Sequence, residues 1–373
     1  MRLGTYGSEY QWLNKIKLLV QAHLKKSSNI LLMYQPLLGG RFLKKKLALL
    51  LVAILCVLPL LSACGKKNDL IEVQLNEVAH SIFYAPQYVA IELGYFKEEG
   101  IDLKLVNGLG ADKTMTAVLS GEAQIGFMGS EASIYVYNQG EEDYVVNFAQ
   151  LTQRAGNFLV SRDVNETDFQ WSDLIGKTVI GGRAGGMPEM VFEYILKKNG
   201  ISLSDLTIIQ NIDFGNTAQA FVSGQGDYTI EFEPSATALE TENEGKVVES
   251  LGVASGMVPY TAYSAKKSYI EKNPETIQKF VNAIQKGLDY VNSHTPAEIA
   301  KVIQPQFKET DLETITTIVT RYYDQETWKS DLVFSEDSFD LLQNILEEAG
   351  VLDARAPYSD LINTNYATKA VEK

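Results

Sequence analysis

From residue 71 onward, apolar and polar positions change period at regular intervals, and the changes predict alternating strands and helices. Residues 71–78 are apolar and β-branched, which predicts a strand. Residues 84–93 predict a helix, with Pro86 near its first turn, where the missing N–H has no partner to lose. A strand at 101–106, a helix at 113–119 closed by Ser120-Gly121, a buried strand at 125–128, a helix at 131–138 and a strand at 144–151 follow. Such alternation predicts an α/β fold with a mostly parallel sheet.

A second set repeats the first. Thr116-Ala-Val-Leu-Ser-Gly-Glu-Ala-Gln-Ile125 aligns with Gln219-Ala-Phe-Val-Ser-Gly-Gln-Gly-Asp-Tyr228, and Gly121 lies 103 residues before its counterpart Gly224. Residues 94–101 precede one strand much as 194–201 precede another. The repeat predicts two similar lobes, the second with strands at 177–180, 206–210 and 228–232. After Pro259 the chain is extended over 261–266 and then helical at 274–293, 296–303, 311–323 and 336–349. The expected organisation is a first part of lobe I at 71–162, lobe II at 163–259, and a return to lobe I with C-terminal helices at 260–373. Two crossing strands, near 158–162 and 260–264, would form a hinge over a cleft, an arrangement suited to ligand capture.

The N-terminus has a different pattern. Residues 47–61 are an unbroken apolar run of 15, short of the ~20 that span a bilayer, preceded by Arg41 and Lys44–Lys46 and followed by Leu61-Ser-Ala-Cys64-Gly. A basic segment, a short apolar run and a small-residue exit describe an export signal at 41–63, and the exit resembles the lipobox of bacterial lipoproteins. That resemblance implies acylation of Cys64, a polar tether at 64–70 and a lipid hold on the membrane's extracytoplasmic face. Residues 1–40 are an extension, or the start lies later, at Met33 or near Leu43.

Charge sharpens the picture. Of 33 Lys+Arg and 47 Asp+Glu, residues 1–63 hold nine and one, so the remainder carries a net charge of −22. A body that acidic repels phosphate backbones, and no nucleic-acid partner is expected. Three His and two Cys offer neither a Cys/His zinc site nor a disulfide framework, and no metal or cofactor is expected.

Five segments carry a family resemblance: Tyr84-Ala-Pro-Gln-Tyr-Val-Ala-Ile-Glu-Leu-Gly-Tyr-Phe-Lys-Glu-Glu-Gly-Ile-Asp-Leu103, Ser120-Gly-Glu-Ala-Gln-Ile-Gly126, Leu174-Ile-Gly-Lys-Thr-Val179, Gly226-Asp-Tyr-Thr-Ile-Glu-Phe-Glu-Pro234 and Asn273-Pro-Glu-Thr-Ile-Gln-Lys-Phe280. In this order they resemble the solute-binding proteins of ABC importers in the nitrate, sulfonate, taurine and thiamine-pyrimidine-precursor group. The resemblance implies an α/β, two-lobed periplasmic-binding-protein-like (type II) clamshell, each lobe a mixed, mostly parallel sheet flanked by helices. It also implies a monomer that captures a small organic solute, sulfonate- or taurine-like or thiamine-pyrimidine-like and heteroaromatic, and delivers it to an ABC permease and ATPase. A ligand-sensing lipoprotein on the same clamshell is the alternative. The group includes the fungal synthase that makes the thiamine pyrimidine from a pyridoxal cofactor and a histidine; its cysteine-rich motif is absent here. No nucleophile–base–acid arrangement stands out either, so no enzyme is expected.

In open parallel sheets, ligands sit beyond the carboxyl ends of the strands, where helix N-termini point into the crevice. Four loops occupy such positions. In the first, His80 would donate to an anion or stack on a ring, and Tyr84 stands where the family lines its cleft. In the second, Ser130 and Glu131 are expected to contact ligand, with Ser130 alternatively capping the helix that begins at Glu131. In the third, Gly185 and Gly186 permit close approach, and Arg183 suits a carboxylate, sulfonate or phosphate; neither G-x-x-x-x-G-K-[ST] nor G-x-G-x-x-G is present. In the fourth, Glu233 matches the family's Glu-Pro at the cleft, where it would pair with a ligand amine or bond to the hinge backbone, with Asp213 alongside.

Overall fold

The computed structural model describes residues 70–372 apart from Asp353; the expected extension, the signal segment and Cys64 lie outside the described residues. Two five-stranded sheets organise them. In the first, β1 (Ile71–Glu77), β2 (Ile101–Asn107) and β3 (Ile125–Gly129) run parallel in the order β2-β1-β3. The last strand of the chain, β10 (Thr261–Lys266), lies antiparallel between β3 and β4 (Val145–Gln150). In the second sheet, β6 (Thr178–Ile180), β7 (Thr207–Ile209) and β8 (Tyr228–Phe232) form the same parallel trio in the order β7-β6-β8. There β5 (Asn157–Ser161) lies antiparallel between β8 and β9 (Lys246–Ser250). The two sheets share one strand pattern, and the repeat falls on it: Ile125 opens β3 and Tyr228 opens β8.

Expectation placed 158–162 at the end of lobe I. Instead β5 pairs with β8 and β9 throughout, so the chain leaves the first sheet over 151–156. All five residues of β5 are buried, and a run buried on both faces has no alternation to show which sheet it joins. The two crossings lie side by side. Val258 N–H donates to the Gln153 carbonyl (2.8 Å), Leu151 N–H to the Thr261 carbonyl (3.1 Å), and the Thr152 and Thr261 hydroxyls are bonded.

Helices that bear on the site are α1 (Ala85–Glu92), α2 (Ala111–Ser120) and α3 (Glu131–Asn138) of the first lobe, α4 (Met187–Lys198) and α5 (Ser235–Thr241) of the second, and the C-terminal α6 (Pro274–Ser293), α7 (Leu312–Asp324) and α8 (Glu336–Glu348). Ile277, Phe280, Val281, Ile284, Leu288 and Val291 recur at helical spacing on α6, and all are fully buried. They set α6 against α1, and α7 reaches across the hinge, where the Tyr322 hydroxyl donates to the Gly156 carbonyl (2.9 Å).

Gly287 is the point of closest approach between α6 and α1, because a Cβ there would lie 2.2 Å from the Pro86 carbonyl oxygen. That oxygen is backbone and cannot swing aside. Gly287→Ala is therefore expected to push α6 off α1 and lower stability by about 1–3 kcal/mol, as overpacking does, read as a lower urea midpoint. An unchanged midpoint would show that the helices slide freely.

Candidate functional site

Loops at the carboxyl ends of both sheets enclose a cavity of about 420 Å³, within the range of small-molecule sites. Val78, Ala79 and Tyr84 line it after β1, Gly110–Leu119 contribute one face of α2, and Gly129 to Gln139 contribute one face of α3. Tyr260 and Thr261 enter at the hinge. The second lobe supplies Arg183, the glycine loop, Met187 and Pro188 at the start of α4, and Phe232 at the end of β8. The interior is mostly apolar and aromatic, with rings from Tyr84, Tyr135, Phe232 and Tyr260.

Sequence dictates several of these positions. Tyr84 is held by its neighbours: its ring meets Phe127 at 4.4 Å and Phe83 at 5.1 Å, and Phe127 stacks on Tyr263 at 4.1 Å. Tyr135 stands one helical turn beyond Glu131 and so shares its face of α3. Phe232 faces the cavity because it alternates with Glu231 and Glu233.

Glu131 carries the one carboxyl group deep in this lining. It is 2% exposed, and its Oε2 is buried without a hydrogen-bond partner. The carboxyl group folds back over the preceding turn, where a Cβ on Gly129 would lie 2.1 Å from Oε2. Burial pushes the Glu131 carboxyl up to about 8, while the nearby N–H groups of Glu131 itself and of Met187 pull the other way. Tyr84, Tyr135 and Tyr260 around it are also raised by burial, and their phenols stay protonated.

The lobes touch at the rim. Arg183 donates to Asp112 across the cleft (3.0 Å) and lies 3.6 Å from Asp213 of its own lobe. The Tyr135 hydroxyl donates to the Gly185 carbonyl (3.2 Å). Gly185 turns the loop in the left-handed region, φ +75°, and its N–H donates to Glu189 (3.2 Å). Gln210 also donates to Glu189 (2.5 Å). Burial and the adjacent Glu193 push the Glu189 carboxyl up.

Of the nine expected ligand contacts, Tyr84, Glu131, Arg183, Gly185 and Gly186 line the cavity, and His80, Ser130, Asp213 and Glu233 do not. His80 is claimed by the scaffold: Nδ1 donates to Glu77 (2.8 Å), Nε2 donates to the Gln306 carbonyl (3.0 Å), and the ring stacks on Phe307. Ser130 makes no side-chain cap, because it already has helical dihedrals, and its hydroxyl is buried without a partner. Asp213 stays outside the lining and faces the same guanidinium nitrogen of Arg183 that Asp112 does, at 3.6 Å. Glu233 turns into the hinge, bonded to Arg321 (2.8 Å) and to the Thr237 N–H and hydroxyl (both 2.9 Å). Sequence reasoning also missed the α2 face around Met115 and Leu119, whose helical spacing reads equally well as core.

The family model described as NMT1/THI5 like matches residues 82–299. The chain is 46% identical over 314 residues to YtlA of Bacillus subtilis (strain 168), a candidate binding protein, covering 84% of this chain and 94% of that one. It is 24% identical over 235 residues to the 4-amino-5-hydroxymethyl-2-methylpyrimidine phosphate synthase of Aspergillus parasiticus, covering 59% and 66%. The solved alkanesulfonate-binding protein SsuA of Xanthomonas axonopodis pv. citri, bound to MOPS, aligns with a TM-score of 0.65 at 13% identity, over 79% and 98% of the two chains. That likeness shows a shared fold, the two-lobed periplasmic-binding-protein-like clamshell.

Proposed function

Because the chain belongs to the NMT1/THI5-like family, we propose that it is a solute-binding protein of an ABC importer, capturing a small organic molecule between its lobes and presenting it to a permease. The observation that carries this reading is the cavity, lined from both lobes and bridged at its rim by Arg183–Asp112 and Tyr135–Gly185. A ligand that touches both lobes favours the closed arrangement through its higher affinity for it. The export signal and Cys64 fit a protein lipid-anchored at the extracytoplasmic face.

Between the two solute classes, the lining favours the heteroaromatic one. A sulfonate needs a cation, and Arg183, the one cation of the lining, is 42% exposed and already faces two aspartates. Four rings and a buried carboxyl suit a flat, nitrogen-bearing ring instead. The 24% identity to a pyrimidine phosphate synthase agrees with that ligand chemistry, while the absent cysteine-rich motif argues against the synthase reaction.

Thermal unfolding of residues 68–373 with hydroxymethylpyrimidine, thiamine, taurine and an alkyl sulfonate tests the reading. Ligand at a hundredfold over Kd stabilises by about 2.7 kcal/mol, so a heteroaromatic compound is expected to raise Tm by several degrees. Tyr84→Ala is expected to abolish the rise. A rise with taurine alone reverses the choice of class. Silence across the panel, with no small molecule found by native mass spectrometry of the purified protein, removes the capture reading.

A further inference from the structure

We propose that the cavity takes a flat organic cation, its charged N–H group received by the carboxylate of Glu131 while its ring lies among Tyr84, Tyr135, Phe232 and Tyr260. The proposal rests on the capture reading and adds the ligand's charge to it.

Glu131 Oε2 is the observation behind it. Structures leave few buried side-chain oxygens unbonded, and this one belongs to a residue of the cavity lining. The carboxyl folds back to where a Cβ at position 129 would stand, so glycine there leaves it room. The lining's one cation is not paired with this carboxyl: Arg183 sits at the mouth with Asp112 and Asp213, and two acids around one base leave that mouth net negative. An entering anion meets that charge first, whereas an entering cation is drawn by it. Inside, the ring faces attract positive charge, and Glu131 supplies the one full negative charge.

The exchange balances simply. Without ligand, Glu131 keeps its proton at neutral pH, its midpoint being about 8. The cation enters, the carboxylic acid gives its proton to solvent, and the N–H of the ligand donates to the freed carboxylate. The titratable groups facing Glu131 are the phenols of Tyr84, Tyr135 and Tyr260, all held protonated. Glu189, behind the glycine loop, acts on Tyr135, and Asp112 and Arg183 stand at the rim. Near neutral pH the released proton therefore comes from Glu131.

Three probes of similar shape separate the possibilities: benzamidine (cation), benzyl alcohol (neutral) and benzenesulfonate (anion), titrated calorimetrically at pH 7 in phosphate and in Tris. Benzamidine is expected to bind tightest of the three. Its apparent enthalpy is expected to differ between the buffers by the signature of nearly one proton released. Glu131→Gln is expected to weaken benzamidine at least tenfold and erase the buffer difference, while changing benzyl alcohol less than twofold. The buffer comparison uses the unmodified protein, so it stands even where the variant folds poorly. The cation subsite is overturned by tighter binding of benzenesulfonate, by benzamidine binding without proton release, or by indifference to Glu131→Gln. If benzamidine fails while a solute of the thermal panel still binds and depends on Tyr84, only the charge assignment falls; if nothing binds, capture falls with it.

Discussion

Between pH 5 and pH 9 the folded protein is expected to lose stability, and Glu231 is expected to account for about 3 kcal/mol of the loss. Glu231 is 3% exposed on β8, with hydroxyl donors from Thr229 (2.6 Å) and Thr217 (2.9 Å). Burial outweighs those donors and pushes its carboxyl from 4.5 up to about 7. Between those two values the folded chain holds a proton that the unfolded chain has released. Stability is therefore full below pH 4.5 and lost as pH rises through 7, at about 1.4 kcal/mol per pH unit between the midpoints. Glu131, Glu189 and His80 are displaced the same way. For His80 the hydrogen bond to Glu77 leads, the Gln306 carbonyl adds to it, and burial opposes both. Glu131 has an exit that Glu231 lacks: parting the lobes would hydrate it without unfolding either sheet. Urea denaturation at pH 5, 7 and 9 checks this, with the midpoint falling for the unmodified protein and Glu231→Gln flattening the fall by about 3 kcal/mol. A midpoint that climbs with pH, or an unaltered slope in the variant, contradicts the assignment.

The parts of the molecule readable from sequence are those set by local periodicity. The bounds of β1, α6 and the 103-residue repeat follow from spacing that neighbouring residues alone determine, and the repeat identifies two lobes because β3 and β8 are the same strand in each. Two kinds of feature escape. A strand buried on both faces, such as β5, carries no sign of its sheet. A polar loop residue, in turn, faces whichever partner the fold delivers. His80 is turned from the cavity by Gln306, 226 residues later, and Glu233 by Arg321, 88 residues later. Nothing near His80 or Glu233 announces those partners. Tyr135 and Phe232 were within reach, since one shares the helical face of Glu131 and the other alternates with two acidic neighbours along β8. Those relations are as local as the ones that placed the elements.

Arg321→Met is expected to lower the unfolding free energy by about 3–5 kcal/mol, more than any surface ion pair would account for. Arg321 reaches from α7 to Glu233 (2.8 Å), to the Thr237 hydroxyl (3.1 Å) and to Glu240 of α5 (2.6 Å). The Glu233 side chain has no exposure at all. Burial raises its carboxyl, while Arg321 and the Thr237 donors lower it, and Arg321 is itself held charged by Glu240 and Glu233 against the opposing effect of burial. Because every group on that carboxyl donates, the ionised pair fits the geometry. Methionine would fill the stem's volume and leave Glu233 charged and alone, or force it to take up a proton. The second course becomes easier in acid, so the loss is expected to shrink from pH 8 to pH 5. Adding Glu233→Gln removes the stranded charge and is expected to restore most of the stability, a coupling a double-mutant cycle reads directly. If the single substitution lowers stability by under about 1 kcal/mol, or the double variant is no better than the single, the hinge is held by apolar packing alone. The Glu233 carbonyl also accepts from Ser81 (2.6 Å), three residues before Tyr84. A weakened Arg321 clamp should thus reach the cavity through both Phe232 and Tyr84, lowering ligand affinity in a variant whose own side chain never lines the site.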